Sequence, residues 1–215
     1  MIDLHIHSIF SDGELIPSEI VSRGKNVGYR VLALTDHVDT SNLAFVLENI
    51  CRVSKDLSEK TELTVVPGVE ITHVPPSLIG EIITLSRTHG AKIVIVHGET
   101  IVEPVPPGTN RAAIIGGADI LAHPGLVSVE EGELAAKEGV FLEITSRGGH
   151  SYTNGHVARV AKKTGAGMVF NTDAHSPRDF LDKETARRIL TGAGLDESDI
   201  SEIFINSEKL VKGES

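Results

Sequence analysis

The chain carries ten histidines, and six of them stand beside short apolar runs together with an acidic partner. The first pair is His5 and His7 in Asp3-Leu4-His5-Ile6-His7. Strand alternation puts Leu4 and Ile6 on one face and both imidazoles on the other, pointing into one space. Neutral imidazole suits zinc and its neighbours. Asp12 follows in a Ser-Asp-Gly turn from which it can curl back and add an oxygen. Asp173-Ala174-His175 repeats the i, i+2 spacing, and between these ends lie His37, Glu70, His97 and His123. The nine residues His5, His7, Asp12, His37, Glu70, His97, His123, Asp173 and His175 offer nitrogen and oxygen donors without a thiolate. That set suits two or three Zn, Mn or Fe ions, with Glu70 placed to bridge two of them.

Such a cluster lowers the pKa of a bridging water and supplies a hydroxide nucleophile, while its charge neutralises an anionic electrophile. A phosphate ester is the natural substrate. Asp12, His37, Glu70 and Asp173 are the expected catalytic members. Arg147, in strand phase with Glu143 and Thr145, is the first candidate for clamping a phosphate oxygen. Arg178, His73 and Arg111 are further candidates for substrate binding. Asp3, Asp36 and Asp119 stand near the histidines as orienting acceptors or turn caps. Glu143 reads as a polar residue of a barrel interior, and His89, His150 and His156 read as ordinary surface or loop histidines.

These residues need a scaffold that brings them together. Apolar, β-branched runs predict strands at Ile2–His7, Arg30–Asp36, Thr64–Glu70, Ala91–His97, Ala118–His123, Val140–Thr145 and Gly167–Thr172. Helices are expected between them at Pro17–Val27, Asn42–Leu57, Ser77–Thr88, Thr109–Ile115, Val129–Lys137 and Gly155–Lys163. Further helical segments follow at Lys183–Leu190, Ser198–Phe204 and Ser207–Val211, expected to close the last gap. Alternation of this kind predicts an α/β fold with a parallel sheet covered by helices. Each strand ends in His, Asp or Glu, and only a closed barrel gathers seven such ends at one mouth. The expectation is therefore a single-domain, TIM-like (β/α)7 barrel over residues 1–215, with its metal site at the carboxyl ends of the strands. The proline-rich loop 101–108 lies on the mouth side, as a wall of the site or a stiff surface connection.

Composition narrows the classes. With 215 residues, 40% hydrophobic and 23% charged, the chain is a folded globular protein. It has no Trp and fewer Phe and Tyr (6 and 2) than His, so the core is aliphatic. The single Cys51 excludes an internal disulfide and reads as a small core residue. There is no basic, apolar leader and no apolar run of membrane-spanning length, which predicts a soluble cytoplasmic protein. A net charge of −10 argues against nucleic acid as a partner and requires bound cations for an anionic substrate. A small phosphorylated substrate is the expected partner, and a homo-oligomer stays open.

The motifs Asp-Leu-His5-Ile-His7-Ser, Ser-Asp12-Gly, Thr-Asp-His37, Gly-Val-Glu70, His97, Ala-His123-Pro-Gly and Asp173-Ala-His175 occur in order. In this the chain resembles the polymerase and histidinol phosphatase (PHP) family from Ile2 to about Val211. The resemblance implies a distorted seven-stranded barrel with three metal ions. One would take His5, His7, Glu70 and Asp173; a second would share Glu70 with His97 and His123; a third would take Asp12, His37 and His175. It implies hydrolysis of phosphomonoesters such as histidinol phosphate or a nucleotide, or of phosphodiesters as in the exonuclease-type relatives. An amidohydrolase-type reaction is the alternative on a related barrel, although no lysine stands at a strand end to bridge ions as a carbamate. A non-catalytic scaffold would be signalled by lost ligands, and none of the nine is lost.

Overall fold

Alternation along the strands divides the core in two. The computed structural model describes residues 1–213 and contains eight strands and eight α-helices among them. The strands are β1 (Ile2–Asp3), β2 (Val31–Leu34), β3 (His37–Val38), β4 (Thr64–Ile71), β5 (Ile93–His97), β6 (Ile120–Ala122), β7 (Phe141–Thr145) and β8 (Met168–Asn171). The helices are α1 (Pro17–Val27), α2 (Leu43–Lys60), α3 (Pro76–Thr88), α4 (Thr109–Gly116), α5 (Val129–Glu138), α6 (Asn154–Thr164), α7 (Lys183–Gly192) and α8 (Glu197–Lys212). Pro17 starts α1 with its φ already fixed, and Gly28 ends that helix at φ 99°.

Every ladder is parallel, in the order β1-β2-β4-β5-β6-β7-β8, with β3 pairing onto β4 beyond the end of β2. On β5, Val94 and Val96 join the large outer core under the helices, while Ile93 and Ile95 join a separate inner cluster. Val66, Ile120, Ala122 and Val169 belong to that inner cluster, together with Ile2, Leu4, Val31 and Ala33. Leu210 and Val211 of α8 pack against it. Continuing the inner face by twos leads from Ile95 to His97, from Val66 to Glu70 and from Phe141 to Glu143. The functional side chains therefore stand on an aliphatic plug at the carboxyl ends of the strands.

The sheet is nearly closed. Between β1 and β8 a single bridge, Ile6 to Ala174, replaces a ladder, with His7 N–H donating to the Ala174 carbonyl at 2.9 Å. Side chains seal the rest of the seam: Leu4 N–H donates to Asn171 Oδ1 at 2.8 Å, and Thr172 Oγ1 to Asp3 Oδ2 at 2.5 Å.

Three expectations need correction. The first strand is not continuous to His7, because Asp3 Oδ1 and Thr35 Oγ1 take the backbone N–H groups of His5 and Ile6. Leu4 and Ile6 consequently fall in different clusters instead of sharing a face. The second strand stops at Leu34, since Asp36 turns to accept from Ser8 N–H, Ser8 Oγ and Ser11 Oγ; pairing resumes at His37. The two expected terminal segments are one helix, α8, because nothing between Phe204 and Ser207 breaks it. Its Asn206 is buried and donates to the Met168 carbonyl at 3.0 Å.

Candidate metal centre

All nine donors predicted from sequence converge at the barrel mouth. His5 and His7 meet Glu70 from β4 and Asp173 from the segment after β8. His5 Nε2 lies 3.4 Å from Glu70 Oε1 and 3.7 Å from Asp173 Oδ1. His7 Nε2 lies 3.6 Å from Glu70 Oε2 and 3.2 Å from Asp173 Oδ1. His123 Nε2 is 3.6 Å from Glu70 Oε1 and 3.6 Å from Asp173 Oδ2. On the outer side, Asp12 Oδ1 approaches His37 Nε2 at 3.5 Å and His175 Nε2 at 3.3 Å. A tetrahedral ion with bonds of about 2.0–2.2 Å holds its ligands about 3.3–3.6 Å apart. These spacings are close to those of ligands around such ions.

The donor chemistry fits a metal as well as the spacing does. Among the described residues, His5 Nε2, both ring nitrogens of His7 and His123 Nδ1 are buried without a hydrogen-bond partner. Unpartnered buried polar atoms are costly, and a cation removes that cost. Burial holds His7 and His123 well below the ordinary histidine pKa, so both rings present free lone pairs. Burial also opposes protonation of His5, but Glu143, Glu70 and Asp173 outweigh it and raise its pKa well above the usual value. Glu70 is held well below the carboxylate range despite its burial, because His5 and His37 face it. Burial pushes Asp173 up to about 7, with His5 opposing and the charge of Glu70 adding to the rise.

The backbone is strained where it delivers these groups. His73, His123 and Asp173 have φ of 54°, 28° and 54°, a region that non-glycine residues adopt only when their surroundings enforce it. Two glycines allow close approach. A Cβ at Gly13 would lie 2.4 Å from the His7 carbonyl oxygen, so the turn bearing Asp12 can fold back onto the segment at His7 only with glycine there. A Cβ at Gly125 would lie 1.9 Å from the Glu99 carbonyl oxygen, which lets the segment after His123 pass beneath the 99–108 loop.

Orienting partners set the imidazoles. His5 Nδ1–H donates to Glu143 Oε1 at 2.9 Å, and His97 and His175 donate from Nδ1 to the carbonyls of Gly98 and Asp173 at 3.1 and 2.9 Å. His37 Nδ1 is 2.6 Å from Thr72 Oγ1. Glu143 is thus an orienting acceptor as well as a barrel-interior residue. Asp119 does not orient a histidine: it accepts from Val94 N–H at 2.7 Å and from Arg87. Asp3 and Asp36 bind backbone and hydroxyl groups of the seam and the turn instead of imidazoles.

A cleft of about 600 Å³ opens over the donors, lined among others by Asp12, His37, His97, Arg147, Asp173 and His175. Arg147 also lines an adjoining cleft that contains Arg178, and its Nη1 is 3.4 Å from Asp179 Oδ2. His73 lies on the first cleft. Arg111 is exposed on α4 and lines neither, so its expected substrate contact is not formed here. Two residues at the mouth escape a reading by strand ends. Glu103, from the proline-rich loop, and His150, from a short 3-10 turn at His150–Thr153, both line the cleft. His150 is buried and stacks on His123 with ring centroids 4.1 Å apart, so it is no ordinary loop histidine. The only sequence signals were an acidic residue among prolines and a histidine after Gly148-Gly149. No helix among the described residues is long and apolar enough to cross a membrane.

Comparison with known proteins agrees with this geometry. The PHP domain matches residues 3–100. An uncharacterised protein of Methanocaldococcus jannaschii is 42% identical over 209 residues, covering 96% of each chain. Other curated relatives are spanned over only 22% to 35% of their own length. Among solved structures, a chain of archaeal ribonuclease P with mature tRNA superposes with a TM-score of 0.75 at 18% identity, over 100% of this chain and 91% of that one. The histidinol phosphate phosphatase of Lactococcus lactis subsp. lactis Il1403, complexed with zinc, L-histidinol and phosphate, gives 0.62 at 17% identity, over 91% and 94%. At these identities the two structures speak for the fold alone. With the PHP domain matched and the nine donors gathered at the mouth of a nearly closed parallel barrel, the chain belongs to the PHP family.

Proposed function

We propose that this chain hydrolyses a small phosphorylated metabolite, a phosphomonoester, at the mouth of its barrel. The observation that carries the reading is the convergence of nine histidine and carboxylate donors under a cleft that Arg147 also lines. His5, His7, Glu70 and Asp173 would hold one divalent ion, His97 and His123 a second beside Glu70, and Asp12, His37 and His175 a third. Zinc, manganese and iron all suit these donors. When bound, such ions supply Lewis-acid polarisation of the phosphoryl group and lower the pKa of water.

The residues of the chain do the rest. Arg147 donates to a phosphate oxygen, and Asp179 limits where its guanidinium can swing. Asp12 and Glu70 are held in the carboxylate form, so the cleft repels phosphate until cations are present, which couples substrate binding to metal loading. Glu143 keeps the His5 ring turned toward Glu70 and Asp173. The aliphatic plug beneath excludes water from below. Among the described residues, no lysine lines the cleft, which disfavours an amidohydrolase-type bridging carbamate.

The test is phosphate release from a panel holding histidinol phosphate, nucleoside monophosphates, nucleoside bisphosphates and a diester. The reading expects release from a monoester, loss of release with chelator and in His123→Ala, and a raised KM in Arg147→Ala with a smaller fall in kcat. Release from the diester alone would move the assignment to a phosphodiesterase. No release from metal-loaded protein on any ester would overturn it.

A further inference from the structure

At the edge of the mouth, Glu103 and His150, which lie outside the nine-donor pattern, converge with His97 and His123 of that pattern. Glu103 reaches down from the 99–108 loop. Its Oε2 lies 3.2 Å from His97 Nε2 and 3.1 Å from His73 Nε2, and its Oε1 lies 3.3 Å from His150 Nε2. His97, His123 and His150 each offer a ring nitrogen, all within 4.8 Å of one another, and all three residues are buried. His123 Nδ1 is buried without a hydrogen-bond partner.

Hydrogen-bond bookkeeping shows what is missing. His97 Nδ1 faces the Gly98 carbonyl, which can only accept, so the ring proton sits on Nδ1. The lone pair on Nε2 then faces a carboxylate oxygen at 3.2 Å, an arrangement that needs a positive charge between the two. His150 is held from behind by Thr100 Oγ1, 2.8 Å from its Nδ1, which leaves Nε2 facing Glu103. A single proton would satisfy one such contact. Two buried imidazoles and a carboxylate at 3.2–3.3 Å have instead the separations of ligands around one tetrahedral ion.

We propose that His150 and Glu103 join His97 and His123 as ligands of one divalent cation, and that this ion fastens the 99–108 loop over the cleft. The inference rests on the metal-dependent reading above and adds two ligands to it, one of them on a loop. His73, on the outer side of Glu103, orients the carboxylate. Fastening is local: Glu99 Oε1 already accepts from the N–H groups of Gly108 and Asn110, so the base of the loop is tied and only its Ile101–Pro107 stretch needs the ion. The loop then sets how large a leaving group the cleft admits.

The experiment titrates chelator-stripped full-length protein with Zn2+ and with Co2+, following heat, bound metal by elemental analysis and the cobalt absorption bands. Wild type is compared with His150→Gln, Glu103→Gln and His156→Gln; the last ring donates to the Val127 carbonyl outside the cluster. The expected result is that one ion per chain binds about 10–100-fold more weakly in both cluster variants and unchanged in His156→Gln. Hydrogen exchange in 99–108 slows on metal addition in wild type and much less in the two variants. Wild-type stoichiometry, affinity and exchange in folded Glu103→Gln and His150→Gln would overturn the proposal while leaving the phosphoesterase reading intact. Wild type that takes up no ion would overturn both. Should His150→Gln fail to fold, Glu103→Gln, at a partly exposed position, carries the test alone.

Discussion

Glu143 meets three partners at once: His5 Nδ1 at 2.9 Å, the His123 N–H at 3.1 Å and Asn171 Nδ2 at 2.8 Å. One buried carboxylate thereby fixes an imidazole, the backbone of a strained histidine and the seam beside β8. Glu143→Gln keeps the size but removes the charge that holds the proton on the His5 Nδ1. The expected effect is metal binding about 10–100-fold weaker at the His5 site with the fold retained, measured by calorimetric titration and circular dichroism. Cys51 shows the opposite kind of residue. Its thiol points at the His89 carbonyl at 3.7 Å, and burial pushes its pKa above that of a free cysteine. Because the thiolate is the reactive form, alkylation at pH 8 should be slower in the folded chain than in urea, as followed by mass spectrometry. Fast labelling of the folded chain would contradict that burial.

At the scale of elements, the strands do little more than end in the right places, and the short segments after them aim the donors. The Ser8–Gly13 turn is held by Gly13 N–H and Ser11 N–H donating to the Ser8 carbonyl at 3.0 and 3.1 Å, and by Asp36 gripping Ser8 and Ser11. Gly13→Ala would push a methyl group against the His7 carbonyl. We expect a loss of about 1–3 kcal/mol in urea unfolding. The same change should weaken binding of the ion proposed for Asp12, His37 and His175, because the turn must lift Asp12 away from the two rings. Equal stability and metal affinity in that variant would show that the turn has room it does not show here. Strain at His123 and Asp173 belongs to the same scale: both follow strand ends, and both carry donors that a relaxed backbone would direct elsewhere.

The whole molecule is stabilised by an aliphatic plug and an outer helical layer, yet it gathers Glu70, Glu143 and Asp173 in its interior. Metal loading should therefore stabilise the fold as well as enable chemistry. One site at 100 times its dissociation constant contributes about 2.7 kcal/mol, which for a chain of this size raises Tm by about 5–10 °C. Calorimetry with and without chelator measures this, and an unchanged Tm in protein shown to lose metal would argue that the buried carboxylates are satisfied without cations. The net charge of −10 acts at this scale too. Cations bound at the mouth would offset it locally for the phosphate of the proposed substrate.

Much of this architecture was determined by the sequence alone. Period-two runs ending in His, Asp or Glu, separated by helical stretches, require a parallel barrel with one active mouth, and the nine donors follow from strand ends and the i, i+2 pairs. Arg147 was legible for the same reason, through its phase with Glu143 and Thr145. What the sequence did not determine lay off the strand phase. The break of the first strand after Asp3 depends on side chains of Asp3 and Thr35 taking backbone N–H groups, a competition that periodicity does not register. Nothing breaks α8 at 205–206, where Asn206 lies inside the helix and its side chain donates to the Met168 carbonyl on β8. His150 and Glu103 reach the site through a 3-10 turn and a proline-rich loop, whose course is set by packing and not by repeat, and Arg111 misses the cleft because α4 carries it outward. Local pattern decides which faces are apolar and where strands stop; only the folded chain decides which loops close over the end that they share.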